Sequence, residues 1–242
     1  MNTSYKLTDY DLMANLFLYP HDEEYKEKVR EVYAYLCQHH PKAAEALKPF
    51  AGFSETSSFI EVQELFLRSF DIQAITTLDI GFILFGEDYK RGKLLVNLNE
   101  EHKNAGNDCA SELADHLPNL LRLLPRMKDE SMRAEIAVLL LIPAVEKMIS
   151  EFSPQKIEKK DEVYKKHQKI VLDYSQNYRT MYQSCLTALL LTLKEDFGDI
   201  ADAVEVEVRS FVDPNNPAAY QESASAKDYR QNIENEMIIE KG

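Results

Sequence analysis

The chain has 242 residues, 45% of them hydrophobic, and a net charge of −13 at pH 7. A chain this long buries a sizeable core, as one large domain or two small ones. The acidic balance argues against a nucleic-acid binder, whose affinity rests on neutralising phosphates, and suits a soluble protein with a basic partner.

Glycine is scarce and the apolar residues recur at helical spacing almost throughout. Leu7, Tyr10, Met13, Leu16 and Phe17 share one face of a first helix, with Thr8 and Asp11 as capping candidates and Pro20 as its stop. Tyr25, Val29, Val32 and Leu36 mark a second helix, which ends at His39-His40-Pro41, read as a surface break. Pro41 to Phe50 is a short Ala-rich helix with Pro41 in its first turn. Ser58 followed by Glu61 is a capping box, opening a helix that carries Val62, Leu65, Phe66 and Phe70. Leu78 to Phe85 and Glu87 to Lys103 follow, separated by Gly86 and ended by Gly106. Asp115 is placed to cap a helix from Leu117 to Leu124, with Pro118 in its first turn. Ser131 to Ile149 is the most apolar helix, and Pro143 should kink it. Phe152 to Gln176 is lysine-rich and reads as an exposed helix with a thin apolar stripe. Tyr178 to Phe197 is strongly amphipathic and Gly198 should end it. Val204 to Val208 alternates like a short strand.

The fold class expected is all-α, a single-domain helical bundle of roughly eight to ten helices. Its domain spans 1–210, with a lysine-rich helical insert near 155–176, and 211–242 is a polar, mobile tail. The longest apolar run, Ile136 to Val145, is shorter than the roughly 18 residues that span a bilayer. No basic segment followed by an apolar one opens the chain, so no signal peptide and a cytoplasmic location are expected. Cys37, Cys109 and Cys185 are far apart and without a Cys-x-x-Cys, as expected of buried free thiols.

Motifs for catalysis are missing. The chain has no G-x-S-x-G, no P-loop and no G-x-G-x-x-G. None of its six histidines follows a glutamate by three residues, the spacing of a di-iron bundle site. The expectation is a binding protein, not an enzyme, with no metal site.

One stretch breaks the helical regularity. Leu78 to Pro118 holds four of the seven glycines, the charge cluster Glu87-Asp88-Tyr89-Lys90-Arg91, and Asp115-His116-Leu117-Pro118. With Leu65-Phe66 and Phe70-Asp71 before it and Glu112 to Pro125 at its end, it resembles the NarJ-type assembly chaperones. These nitrate reductase delta-subunit proteins are related to the TorD/DmsD redox-enzyme maturation group. The family's Gly-Glu-x-x-x-Arg-Gly helix start stands here as Gly86-Glu87 with Arg91-Gly92, and its Asp-His-Leu-Pro start as Asp115 to Pro118. Leu16 to Pro20 resembles the end of the family's first helix, and the likeness covers roughly residues 7 to 150. A departure is the lysine-rich Gln155 to Gln176, inserted before the final leucine-rich helix.

The resemblance implies a TorD/NarJ-like all-α chaperone in the cytoplasm, with no permanent cofactor of its own. Its partner would be the apo catalytic (molybdopterin) subunit of a molybdoenzyme such as a respiratory nitrate reductase, bound through an N-terminal segment during molybdenum cofactor insertion. It would bind no nucleic acid and insert stably in no membrane. A general helix-binding protein unrelated to redox enzymes is the alternative. For a basic, amphipathic leader helix, Glu87, Asp88 and Asp115 are candidates to pair basic residues, and Phe66, Phe70, Phe85, Leu117 and Leu121 to line a groove. Gly86, Arg91, His116 and Pro118 complete the candidate set. Each has a structural reading too. Phe66 and Phe70 suit a core, Asp115 an N-cap, Gly92 close helix packing, and Arg91 a pair with Glu87 at i, i+4.

Overall fold

Several helix ends among the described residues are set by local chemistry. The computed structural model describes residues 7–168 and 179–207, which form an all-α bundle with no strand among the described residues. Helix α1 (Tyr10–Ala14) is capped by the Asp9 carboxylate, which accepts from the Leu12 amide, and tightens into a 3₁₀ turn, Asn15–Phe17. The cap is Asp9, not Thr8 or Asp11, because Asp9 directly precedes the first helical residue, while the Thr8 hydroxyl lies against His40. Helices α2 (Glu24–His39) and α3 (Pro41–Thr56) pack side against side. The latter runs past the expected end at Phe50 with Pro49 inside it. Buried Leu47 and Phe50 hold this helix together across the missing donor. Helix α4 (Phe59–Phe70) has both halves of the capping box, Glu61 N to Ser58 Oγ at 3.3 Å and Ser58 N to Glu61 Oε2 at 2.8 Å.

Helix α5 (Ile80–Phe85) ends at Gly86, whose φ of 66° lies in the left-handed region. Asp88 caps α6 (Tyr89–Ala105), and Gly106 closes it with φ 64° and ψ 29°. Helix α7 (Leu117–Leu123) carries Pro118 in its first turn and continues as a 3₁₀ turn, Leu124–Arg126. Next come α8 (Glu130–Glu135), a π-helical stretch (Ile136–Leu141) and α9 (Ile142–Glu151). Pro143 does not break this run. The turn before it widens, and the Ile142 amide reaches back to the Ala137 carbonyl.

Helix α10 (Pro154–Gln168) is the lysine-rich one; Gln155, Lys156, Glu158 and Lys159 are exposed, as expected, and residues 169–176 of the expected insert lie outside the described residues. Lys160 reaches the Ile75 carbonyl and, at 2.9 Å, Glu151. Asp161, buried, takes a two-pronged pair from Arg179 at 2.8 and 3.0 Å. Helix α11 (Met181–Glu207) runs through Gly198, and the expected strand at Val204 falls on helix as far as Glu207. The apolar face before Gly198 keeps that residue helical, and no neighbouring strand exists among the described residues to pair a lone alternation. The tail 211–242 lies outside the described residues.

The core gathers on Tyr182. Its ring lies 4.8 Å from Phe50, 4.7 Å from Phe70 and 5.8 Å from Phe66. The Tyr25 hydroxyl donates to the Leu16 carbonyl at 2.9 Å, so Tyr182, 3.0 Å away, donates to Tyr25. Burial drives both phenols far above their ordinary range.

Two sequence readings of polar residues change. His40 is buried, between Thr8 Oγ1 at 3.2 Å and Glu195 Oε2 at 3.1 Å, while its neighbour His39 is exposed. Of the cysteines only Cys185 is buried; Cys37 is exposed and Cys109 half-buried.

Leu117 and Leu121 are fully enclosed. Leu121→Ala should therefore cost about 2–5 kcal/mol in urea unfolding. A change within about 0.5 kcal/mol, usual for surface sites, would contradict this placement.

Candidate functional site

The irregular stretch folds back on itself. Leu117 N donates to the Leu78 carbonyl at 2.8 Å, and Asp79 and His116 form an isolated antiparallel bridge. This seats the start of α7 beside the start of α5. The first helical amides of α5 need acceptors from outside the helix. Asp115 supplies two: its carbonyl accepts from Ile80 N at 2.9 Å, and its Oδ2 accepts from Gly81 N at 3.1 Å.

The same carboxylate meets Arg91 of α6. Arg91 Nε lies 3.0 Å from Asp115 Oδ2, and Nη2 is 2.9 Å from Asp79 Oδ2 and 3.4 Å from Asp115 Oδ1. Asp115 has no exposed surface and the Arg91 side chain keeps 17% of its own. Burial works to lower the Arg91 pKa, but the hydrogen bond and charge of Asp115, then Asp79, outweigh it and raise it. The guanidinium also sits 5.6 Å from the Phe82 ring centre.

This arrangement corrects several expectations. Asp115 is not the N-cap of α7; His116 holds that position, without a side-chain cap bond. Asp115 instead caps α5 across 34 residues. Arg91 pairs Asp79 and Asp115, not Glu87, because Glu87 precedes the Asp88 cap and lies outside the helix. The glycine that allows close approach is Gly81, where a Cβ would stand 2.6 Å from Asp115 Oδ2; around Gly92 there is open space.

The candidate residues divide into two groups. Phe66 and Phe70 lie in the aromatic core around Tyr182, and Leu117, Pro118 and Leu121 are buried, so none of these lines an open groove. Phe85 and Gly86 are half-buried, and Glu87 and Asp88 are exposed. His116 is half-buried; burial lowers its pKa, while Glu112, Asp79 and Asp115 pull upward and Arg122 pulls down again.

Other residues were not anticipated. Asp79 reads in sequence as part of a helix, yet it is the residue before that helix and the second carboxylate on Arg91. Phe82, Tyr89 and Val96 are large and exposed at 40, 71 and 49%. Tyr89 and Val96 are seven apart on α6 and so share a face, with Lys93 Nζ 4.9 Å over the Tyr89 ring between them. A spacing of seven alone does not tell an outward stripe from an inward one, and no sequence signal separated them.

Among the described residues, no group of three or more His, Cys, Asp or Glu side chains is placed to hold a metal ion, and no helix is long and apolar enough to cross a membrane. Comparison with protein-family models, with curated proteins and with solved structures returns no match to this chain.

Arg91→Ala leaves the Asp115 carboxylate buried without its cation and should cost about 3–5 kcal/mol in chemical denaturation. Gly81→Ala should cost about 1–3 kcal/mol by pressing on the same carboxylate, whereas Gly92→Ala should leave stability unchanged or raise it. Equal effects of the two glycine changes would refute the close contact at Gly81.

Proposed function

We propose that this protein is a system-specific chaperone. It binds the apo catalytic subunit of a molybdoenzyme through a basic N-terminal segment and keeps that subunit open for molybdenum cofactor insertion. It works by binding, without catalysis and without a cofactor of its own. One observation carries the reading. The two segments on which the resemblance rests, Gly86 to Gly92 and Asp115 to Pro118, meet in a single salt-bridged node. Beside it lie exposed apolar side chains and exposed carboxylates, the two features a basic amphipathic helix requires of a receptor.

The division between buried and exposed residues sharpens the binding surface. Leu117, Pro118, Leu121, Asp115 and Arg91 shape it from beneath. Contact belongs to Glu87 and Asp88 for the partner's basic residues, and to Phe82, Tyr89 and Val96 for its apolar face. The same surface serves the second reading, a general helix-binding protein, and peptide choice separates the two.

Isothermal calorimetry with the N-terminal peptide of the co-purifying molybdenum subunit should give micromolar or tighter binding that weakens as salt is added. Glu87→Lys and Tyr89→Ala should each weaken binding several-fold with an unchanged melting temperature, and Lys156→Glu on α10 should not. Equal affinity for an unrelated basic amphipathic helix would favour the second reading. No heat with either peptide would overturn both.

A further inference from the structure

One buried ring holds the loop that joins α6 to α7. His102, in the last turn of α6, places Nε2 2.9 Å from the Ala114 carbonyl and Nδ1 2.9 Å from Asn107 Nδ2. The same Asn107 nitrogen donates to the Asn119 carbonyl at 3.1 Å. Asn119 in turn donates to the carbonyls of Leu113 at 3.0 Å and Cys109 at 3.3 Å. Within the loop Ala110 takes a φ of 51°, a conformation that non-glycine residues adopt uncommonly and that this network sustains.

The proton positions follow from the network. A backbone carbonyl only accepts, so the Asn107 atom facing Asn119 must be its amide nitrogen. That nitrogen's second hydrogen points at His102 Nδ1, which is therefore bare, and Nε2 carries the hydrogen given to Ala114. Both ring nitrogens are satisfied only in the neutral form. A proton added at Nδ1 would set one N–H against another in a site where His102 is 3% exposed.

We propose that His102 is a proton-released latch: uptake of a proton at Nδ1 frees the Asn107–Ala114 loop from α6 and loosens the adjoining Asp115 anchor of α5. Burial pushes His102 below the ordinary histidine value, against a weaker upward pull from the Ala114 carbonyl. The charged groups on the elements packed around the ring do not hydrogen-bond to it. They are Asp108 and Glu112 on the loop, Asp115 just after it, Arg122 on α7, and Glu101 and Lys103 on α6 itself; the titratable Cys109 and His116 likewise make no hydrogen bond to the ring. The open loop therefore binds a proton more readily than the closed one. Opening is unaffected above about pH 6.5, the unperturbed histidine value, and grows as pH falls through it. The latch operates whatever the partner's identity.

Hydrogen–deuterium exchange of the full chain at pH 7.5 and 5.5, corrected for intrinsic exchange chemistry, tests it. The 107–114 segment should open about tenfold more at the lower pH while α2 and α3 are unchanged. His102→Gln should abolish the response, and His116→Gln should keep it. Asn107→Asp replaces the donor with an acceptor for a protonated ring, so acid should no longer open the loop; this variant decides the matter should His102→Gln fail to fold. A wild-type loop indifferent to pH, a rise shared equally by α2 and α3, or acid opening that survives in His102→Gln or in Asn107→Asp would overturn the proposal.

Discussion

A carboxylate sealed completely from water must be matched or it destabilises the fold. Asp115 is matched from two directions, by the guanidinium of Arg91 and by the free amide of Gly81 at the start of α5. Three helices take their positions from it: α6 supplies the cation, α5 the amide, and α7 follows the carboxylate directly in the chain. Apolar burial has no direction, whereas the hydrogen bonds of this node fix one. Asp79 adds a second negative charge to the same cation, so the node is acidic even when closed.

Tyr182 organises another part of the core in another manner. Its ring joins aromatic side chains from α3 and α4, and its hydroxyl passes a hydrogen bond through Tyr25 to the carbonyl of Leu16. Residues that resemble a binding groove by type, Phe66 and Phe70, are consumed in this cluster. The exposed counterparts of these rings stand on α5 and α6, at Phe82 and Tyr89. There, aromatic and acidic side chains stand in solvent beside the buried Asp115 node.

What sequence makes legible is what depends on near neighbours. The Ser58–Glu61 box, the helix end at Gly86 and the close at Gly106 each need only residues within one turn, and each was readable. The all-α class followed from periodicity for the same reason. Asp115 was legible as important but not in its role, since its partners lie 24 and 34 residues away. His40 reads as a surface residue in sequence because its partners, Thr8 and Glu195, reach it from distant segments. The continuation of α11 past Gly198 was missed because a glycine weakens a helix without forbidding it.

The π-helical stretch has a consequence for the shape of the core wall. Along it the buried positions run Ile136, Leu140, Ala144, Met148 and, beside them, Ala137, Leu141, Val145. Both rows repeat every fourth residue. A uniform α-helix at 3.6 residues per turn would rotate such rows by about 40° at each repeat and carry them off the core. The wider turn at Ile136–Leu141 takes up that rotation, so two apolar ridges run straight along the helix where a regular one would spiral.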